Sequence, residues 1–189
     1  MNVCVFCSSS EFVHNSYFEE ARGLGRLIAA NGFNLVFGGT NIGLMGALAQ
    51  AAKQHGANVS GVIPKFIYDR GIAFAPADAM IVTADMRERK ATMEQMADAF
   101  IALPGGFGTL EEVLEIITLK QLRLHQKPVV IINTNGFYDQ LLVFVEQMAR
   151  ERFIPMRFSD LILLADSSEK AIQLIAEYKP VELKEKWSG

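Results

Sequence analysis

The sequence predicts an α/β fold in which a doubly wound parallel sheet is flanked by helices on both faces. Two observations carry this prediction. Short apolar runs alternate along the chain with segments of helical periodicity. Most of these runs are apolar throughout, as expected for strands that are covered on both faces. Repeated strand–helix–strand units then favour right-handed crossovers and parallel strands.

The elements follow one another with little interruption. Strands are predicted at 2–7 (NVCVFC), 34–37 (NLVF), 59–63 (VSGVI), 80–84 (MIVTA), 99–103 (AFIAL), 128–133 (PVVIIN) and 161–164 (LILL). Helices are predicted between them, at 16–31, 43–55, 86–98, 109–124, 137–152 and 167–177. In the first helix one apolar stripe has helical spacing: Phe18, Ala21, Leu24, Leu27 and Ile28.

No repeat, low-complexity tract or linker divides the chain, so residues 1–180 are predicted to form a single domain. A polar C-terminal tail is predicted at 181–189. The longest irregular stretch is 64–79, and loops of that length in a compact domain are often functional.

Composition excludes several classes of function. The 189 residues carry a net charge of −3, without the basic excess of a nucleic-acid binder or of a protein that binds anionic membranes. No stretch approaches the ~18 apolar residues of a membrane span, and the N-terminus does not read as a signal peptide. Cys4 and Cys7 make no disulfide framework, and with Cys4 inside a strand we expect both to act as small apolar residues. A reduced, cytoplasmic protein fits best.

Parallel sheets bind ligands beyond the carboxyl ends of their strands, so a site is expected at the strand-to-helix turns. The serines at 8–10 suit either an ordinary polar turn or a ligand. The turn within 36–52 contains four glycines: Gly38, Gly39, Gly43 and Gly46. Such glycines allow close approach either of a packed helix or of a ligand. Their spacing is not the Gly-x-Gly-x-x-Gly fingerprint of nicotinamide dehydrogenases.

The third turn lies within LPGGFGTLEEVLEII at 103–117. Its glycines precede Thr109, where a helix is predicted to start. The unpaired amides and the dipole of a helix start attract phosphate. The structural alternative is a capping box, in which Thr109 caps the helix and Glu112 reaches back to the cap's own amide. The spacing is compatible with both.

A basic cluster follows the fourth predicted strand, where Arg87, Arg89 and Lys90 lie within one turn. It is at the same end of the sheet as the glycine turns, so a guanidinium here can meet a phosphate or a purine edge. The alternative is a solvated helix face in which Lys90 pairs with Glu94 at i,i+4 spacing.

Together these residues resemble the LOG ("Lonely guy") family of cytokinin-activating phosphoribohydrolases, long labelled lysine decarboxylase-like. The family pattern Pro-Gly-Gly-x-Gly-Thr-x-x-Glu is met by residues 104–112, and the Arg-Lys of Met-His-x-Arg-Lys is met by Arg89 and Lys90. Three further segments match in place and order: CVFCSSS at 4–10, IGLMG at 42–46 and HQKPVVIIN at 125–133. The similarity covers roughly residues 2 to 165.

The resemblance implies a Rossmann-like nucleotide-binding domain that hydrolyses the N-glycosidic bond of a purine riboside 5′-monophosphate, of cytokinin or adenosine type. The products are the free base and ribose 5-phosphate. Catalytic roles fall to Arg89 and Glu112. Substrate binding falls to nine residues: Lys90, Gly105, Gly106, Phe107, Gly108, Thr109, Leu110, Glu111 and Thr118. The resemblance also implies no metal, no other cofactor, and a homodimer whose active site lies near the subunit contact.

Three positions depart from the family pattern. Arg87 replaces a His, Thr40 replaces the third Gly of a Gly-Gly-Gly, and Leu119 replaces a Trp. Since the catalytic Arg and Glu are both present, these changes bear on the base pocket and on substrate choice. The decarboxylase label has no chemical support in the sequence, because no lysine stands out as a Schiff-base anchor.

Three other functions compete with this reading. A non-catalytic nucleotide or molybdenum-cofactor carrier can have a similar glycine-rich turn, but a carrier does not need Arg89 together with Glu112. An NAD-linked oxidoreductase lacks its fingerprint after the first strand. A single-stranded-DNA-binding Rossmann protein is disfavoured by the acidic pI and by the lack of a basic, aromatic-lined groove.

Overall fold

The structure, a computed structural model, describes residues 1–154 and 158–180, and the tail predicted at 181–189 lies outside the described residues. The strands in this part of the chain are β1 (Asn2–Phe6), β2 (Asn34–Phe37), β3 (Val59–Pro64), β4 (Ala79–Thr83), β5 (Ala99–Ala102), β6 (Val129–Ile132) and β7 (Leu163–Ala165). The helices are α1 (Asn15–Ala30), α2 (Gly43–Gln54), α3 (Lys65–Tyr68), α4 (Met86–Met96), α5 (Phe107–Gln121), α6 (Asp139–Arg150), α7 (Phe158–Leu161) and α8 (Ser168–Ala176). A 3₁₀ turn, Thr134–Gly136, follows β6.

All of these strands pair in parallel, in the order β4-β3-β2-β1-β5-β6-β7. The predicted doubly wound parallel sheet is therefore confirmed. Val3 of β1 lies between Leu35 of β2 and Ala99 of β5. The winding reverses between β1 and β5, which opens a crevice at their carboxyl ends.

Helices cover both faces of the sheet, and each face has its own apolar core. Helices α1, α2 and α8 pack on one face, around Leu24, Leu48 and Ile172. Helices α4 and α5 pack on the other, around Met93 and Ile116. Strands β5 and β6 are buried along their whole length, which explains why their sequences are apolar throughout. Within the described residues, no helix combines the length and apolar content needed to cross a bilayer.

The two cysteines are free and buried, and they belong to opposite faces of the sheet. Burial raises the pKa of both the Cys4 and the Cys7 thiol. Neither is therefore a thiolate nucleophile near neutral pH. The prediction that they act as small apolar residues is confirmed.

The apolar run at 161–164 does not form one strand. Leu161 ends α7 and is buried with Ile162 in the core on the α5 face, and β7 starts only at Leu163. So short an apolar run suits a buried helix end as well as a strand, because periodicity does not separate the two at this length.

The segment predicted to be irregular, 64–79, includes the short helix α3 and the first residue of β4, and it folds over the turn after β2. Thr40 and Ala73 form an isolated bridge. The Asn41 amide donates to the Ile72 carbonyl at 2.9 Å. These bonds hold the loop beside the crevice at the carboxyl edge of the sheet.

Lys120 lies on the buried side of α5, with 2% of its surface exposed and its ammonium 4.9 Å from the centroid of the Tyr178 ring. Burial lowers its pKa from 10.5 to about 8. Between those two values the unfolded chain holds a proton that the folded chain has released, so this residue makes stability rise with pH in that window. Relative to Lys120→Met, the wild type should gain up to about 3 kcal/mol of unfolding free energy from pH 8 to 10.5.

Urea denaturation across this pH range measures the difference between the two proteins. Lys65→Met, at an exposed position, is the matched control; it keeps Lys120 and should gain stability over Lys120→Met with rising pH as the wild type does. If the difference in unfolding free energy between the wild type and Lys120→Met did not change with pH, the lowered pKa of Lys120 would be contradicted.

Candidate active site

A cavity of about 580 Å³ opens above the carboxyl ends of β1, β2 and β5, where the strand order reverses. Its wall combines the serines at 8–10, Thr40 after β2, Arg70 after α3 and the first turn of α5. Arg89 and Glu112 line it as well. The cavity has the size of a small-molecule or nucleotide site. The fold therefore brings the predicted turns and the basic helix to one place.

The first turn of α5 presents backbone amides to this cavity. Gly106 is the N-cap residue, and the first helical hydrogen bond runs from the Leu110 amide to the Gly106 carbonyl at 3.0 Å. The amides of Phe107, Gly108 and Thr109 precede that bond, at the positive end of the helix. Among the described residues outside this turn, no atom lies within 4 Å of the side-chain position at Gly106 or Gly108. An anion can therefore approach the backbone closely.

The capping box considered for this turn does not form. Helix α5 begins at Phe107, two residues before the predicted start, because Gly106 takes the N-cap position. Thr109 lies inside the helix, and its side chain packs against Gly105, where an added Cβ would lie 2.6 Å from Thr109 Cβ. Glu112 points at a neighbouring helix instead of returning to its own backbone.

Arg89 and Glu112 form a buried ion pair between α4 and α5. Arg89 Nη1 lies 2.5 Å from Glu112 Oε1, and the side chains are 6% and 7% exposed. Arg89 Nε also donates to the Val62 carbonyl at 3.1 Å, which orients the guanidinium. The carboxylate of Asp85 caps α4 by accepting two backbone amides at 2.8 and 2.9 Å. This cap sets where the helix that carries Arg89 begins.

The electrostatics of this pair suit an acid–base group. Burial raises the pKa of Glu112, and the Arg89 guanidinium opposes that shift. Glu112 is thus a carboxyl that ionises above its ordinary range and has a fixed cationic partner. Any activity that needs its carboxylate is expected to lose rate on acidification at a pH above the ordinary Glu range.

The three basic residues of α4 do not share one exposed face of the helix. Arg87 is exposed, whereas Lys90 turns toward α5. The predicted pair of Lys90 with Glu94 does not form. Instead the Lys90 ammonium binds Glu111 and lies 2.6 Å from Glu115 Oε2. Glu111 lines the cavity, so Lys90 contacts a residue of the cavity wall without being part of the lining itself.

Known proteins resemble this chain in sequence over most of its length. The family model described as "Possible lysine decarboxylase" matches residues 45–175. Cytokinin riboside 5′-monophosphate phosphoribohydrolase LOG4 of Arabidopsis thaliana is 42% identical over 94% of this chain and 83% of its own length. The LOG enzyme of Oryza sativa subsp. japonica is 42% identical over 94% of this chain and 74% of its own. This chain belongs to the LOG family.

Solved structures share the fold of this LOG family member. The molybdenum cofactor carrier protein of Chlamydomonas reinhardtii superposes with a TM-score of 0.71 at 22% identity, over 93% of this chain and 96% of its own. The molybdenum cofactor binding protein of Rippkaea orientalis has a TM-score of 0.71 at 26% identity, over 93% and 94% of the two chains. DNA processing protein A of Streptococcus pneumoniae has a TM-score of 0.61 at 14% identity.

The two glycines at the start of α2, Gly43 and Gly46, serve packing. The start of α2 is already filled, because the amides of Leu44 and Met45 donate to the Ser8 carbonyl at 2.9 and 3.4 Å. Gly43 has a positive φ of 59°, and a Cβ there would lie 2.7 Å from the carbonyl oxygen of Ser9. Of the two glycine-rich turns, the one before α5 is the better candidate for an anion.

The remaining predicted site residues occupy different positions. Phe107 is 93% exposed at the rim of the cavity. Leu110 packs against the core on the α5 face. Thr118 is exposed, and its hydroxyl donates to the Leu114 carbonyl at 2.7 Å, away from the ion pair. The role of Thr118 in substrate binding stays a prediction.

The three positions that differ from the family pattern lie at different distances from the cavity. Thr40 lines the cavity, and its hydroxyl donates to Met45 Sδ at 3.4 Å. Arg87 is exposed on α4, and Leu119 packs against the core on the α5 face. Thr40 is therefore the departure that can alter the cavity wall directly.

The cavity residues that were not selected individually from the sequence include Ile67, Arg70, Ile72 and Met86. Arg70 and Met86 both line the cavity and are exposed. Arg70 lies in the long irregular segment, which the sequence did mark as functional. Nothing in its local pattern separates it from other surface arginines, because its place depends on how the loop folds back over β2.

Gly38 is required for the position of Arg89. A Cβ at Gly38 would overlap Arg89 Nη2 and would lie 2.9 Å from Met45 Sδ. We expect Gly38→Ala to displace the guanidinium and to lower kcat/KM by about 10²-fold, the effect expected when a group that is proposed to be catalytic is misplaced. The activity assay is the release of adenine from AMP.

The matched control for Gly38→Ala is Gly23→Ala in α1, where the nearest group to an added Cβ is Arg26 Nη2 at 3.8 Å. This control should keep wild-type kinetics. Wild-type kinetics in Gly38→Ala itself would show that the observed position of Arg89 is not the active one.

Proposed function

We propose that this protein hydrolyses the N-glycosidic bond of a purine riboside 5′-monophosphate to give free base and ribose 5-phosphate. The observation that carries the proposal is the buried ion pair of Arg89 and Glu112 beside the open first turn of α5, in one cavity. The family relatives that are 42% identical are named for the same reaction on cytokinin riboside 5′-monophosphates, which supports it.

The 5′-phosphate binds at the start of α5. The amides at 107–109 and the helix dipole supply its hydrogen bonds and favourable potential. The hydroxyls of the serines at 8–10 lie in the same wall and can add to them. Fixing the phosphate here aligns the sugar with the ion pair and removes much of the entropic barrier to reaction.

Glu112 acts on the sugar. Breaking the bond between C1′ and the base leaves positive charge on the ring, and a buried carboxylate stabilises that charge more strongly than one in water. Arg89 binds Oε1, which leaves Oε2 to orient the attacking water or to take its proton. The water oxygen bonds to C1′, the electron pair of the broken bond leaves on the base, and the base takes up a proton that balances the one the water gives to Glu112.

Arg89 has two tasks in this mechanism. It keeps Glu112 ionised and oriented, because its charge opposes the effect of burial on the pKa of Glu112. Its guanidinium also provides donors that can stabilise negative charge on the departing base. Lys90 assists by holding Glu111 at the cavity wall.

The proposal is tested with a panel of nucleotides: AMP, N6-isopentenyladenosine 5′-monophosphate, GMP, CMP and phosphate-free adenosine. We expect purine monophosphates to release base and ribose 5-phosphate in equal amounts, and adenosine to react at least about 10²-fold more slowly without its phosphate anchor. Nucleotide binding without base release would instead indicate a carrier; the Chlamydomonas reinhardtii structural neighbours are named as carriers of the molybdenum cofactor.

We also propose that the active protein is a homodimer formed through the surface of α4 and α5. Apolar side chains are exposed there beside the cavity, with Met86 37% and Leu114 42% exposed. A second copy seated on this surface would bring Thr118 close to an active site. Light scattering after size-exclusion chromatography should give twice the mass of one chain, and Leu114→Arg should give a monomer.

We also propose that the protein is cytoplasmic and has no nucleic-acid partner. Two free, buried cysteines suit a reducing compartment. A net charge of −3 does not favour a polyanion.

A further inference from the structure

A second, smaller cavity of about 260 Å³ adjoins the proposed phosphate position. It shares Ser8, Ser10 and Gly106 with the main cavity, so the two are neighbours on either side of the turn before α5. The rest of its wall is mainly carbon: Val13, Tyr17, Leu44, Pro104, Gly105 and Phe137. We call this cavity the apolar subsite.

The wall of the apolar subsite is held in place by the fold. Leu44 is fully buried in the core. The rings of Tyr17 and Phe137 meet edge to face, with their centroids 6.0 Å apart. Asn135 Nδ2 donates to Ser16 Oγ at 2.9 Å and ties the turn after β6 to α1. The concavity is thus formed before any ligand arrives.

The position of the apolar subsite decides which part of a ligand can reach it. With phosphate at the amides 107–109, the sugar lies toward Glu112, and the main cavity continues from there toward Arg70 and α3. The apolar subsite lies on the other side of Gly106, next to the phosphate. Since Gly106 has no side chain and the space around it is open, a group attached to the phosphate can pass.

We propose that the apolar subsite binds an aromatic or apolar group esterified to the 5′-phosphate, so that the protein also takes nucleoside 5′-phosphodiesters. This inference rests on the proposed function, from which it takes the position of the phosphate. None of the side chains that line the subsite is charged, which favours a neutral ring over a further phosphate. The subsite lies at the reversal of strand order, where doubly wound sheets hold the two halves of a dinucleotide.

Two ligands of equal charge test the proposal. The phenyl and the methyl ester of AMP both carry a phosphodiester monoanion, and only the phenyl ester has a ring for the subsite. Initial-rate competition of each ester against AMP on the wild-type protein should give an inhibition constant about tenfold lower for the phenyl ester, in keeping with burial of part of an aromatic ring. Equal affinities would overturn the proposal.

Variants then locate the ring. Val13→Trp fills the subsite and should bring the affinity ratio of the two esters close to one, while AMP binding stays unchanged. Its matched control is Phe12→Trp, because Phe12 is 97% exposed and lies outside the subsite wall. Phe137→Ala, which removes one wall, should also lower the ratio. A ratio that persists in both Val13→Trp and Phe137→Ala places the ring elsewhere and contradicts the proposal.

Hydrolysis of AMP in the same preparations separates the two proposals. If AMP is hydrolysed but the two esters bind equally, only the apolar subsite is wrong. If AMP is neither bound nor hydrolysed, the proposed function is wrong and the subsite proposal falls with it.

Discussion

Replacing Glu112 with Gln is expected to lower the rate of adenine release from AMP by about 10²–10⁴-fold while most of the nucleotide affinity is kept. The amide has the same shape and can still accept a hydrogen bond from Arg89, so the cavity should survive. It carries no negative charge to stabilise the cationic sugar and has no basicity toward water. The phosphate amides at 107–109 are untouched, which is why binding should persist.

Single-turnover kinetics measure the chemical step, and calorimetry with AMP measures affinity. Glu115→Gln is the matched control, since Glu115 also faces α4 but contacts Lys90 outside the cavity wall. It should leave the rate nearly unchanged. A wild-type rate in Glu112→Gln would remove Glu112 from the mechanism.

The second large effect concerns stability. Arg89→Met leaves the Glu112 carboxylate buried without its partner, and we expect it to lower the unfolding free energy by about 3–5 kcal/mol. The double variant Arg89→Met with Glu112→Leu replaces the buried pair by apolar side chains of similar size. It should recover most of that loss, because neither a charge nor its desolvation cost remains.

Chemical denaturation of the wild type and of both variants measures these differences, and the AMP assay is run alongside. The double variant should be inactive although it is folded. That result would show that the ion pair is present for chemistry, since an apolar pair would hold α4 and α5 together equally well. A double variant no more stable than Arg89→Met would contradict this explanation.

In variants of Arg89 and Glu112, we expect catalysis to be lost while most of the affinity for the nucleotide is kept. In the proposed mechanism, phosphate is bound by backbone amides that every substitution at 89 or 112 leaves in place. The proposed sugar chemistry depends on the side chains of Arg89 and Glu112, and the pKa of Glu112 is set by its burial and by the charge of Arg89. Variants of the pair should therefore act mainly on kcat, and changes in the first turn of α5 mainly on binding.

Much of this architecture could be predicted from the sequence. The parallel sheet follows from apolar runs without alternation, and the turn before α5 follows from Gly105, Gly106 and Gly108. The start of α5 was predicted two residues too late. Thr109 and Glu112 have the spacing of a capping box, which favoured a start at Thr109, whereas the helix begins at Phe107 with Gly106 as its N-cap. The strand predicted at 161–164 was wrong in its first two residues, because Leu161 and Ile162 are equally well buried at a helix end, and right at 163 and 164.

The sequence by itself determined which segments are buried, which turns lie at the carboxyl edge of the sheet, and which charged side chains are near that edge. Only the tertiary structure decided their partners. Lys90 pairs with carboxylates on α5 and not with Glu94. Arg89 is the buried partner of Glu112. Arg70 lines the cavity because the loop that carries it folds over the turn after β2. The physical reason is that burial and partner choice depend on groups distant in sequence, whereas periodicity and turn chemistry depend on neighbours along the chain.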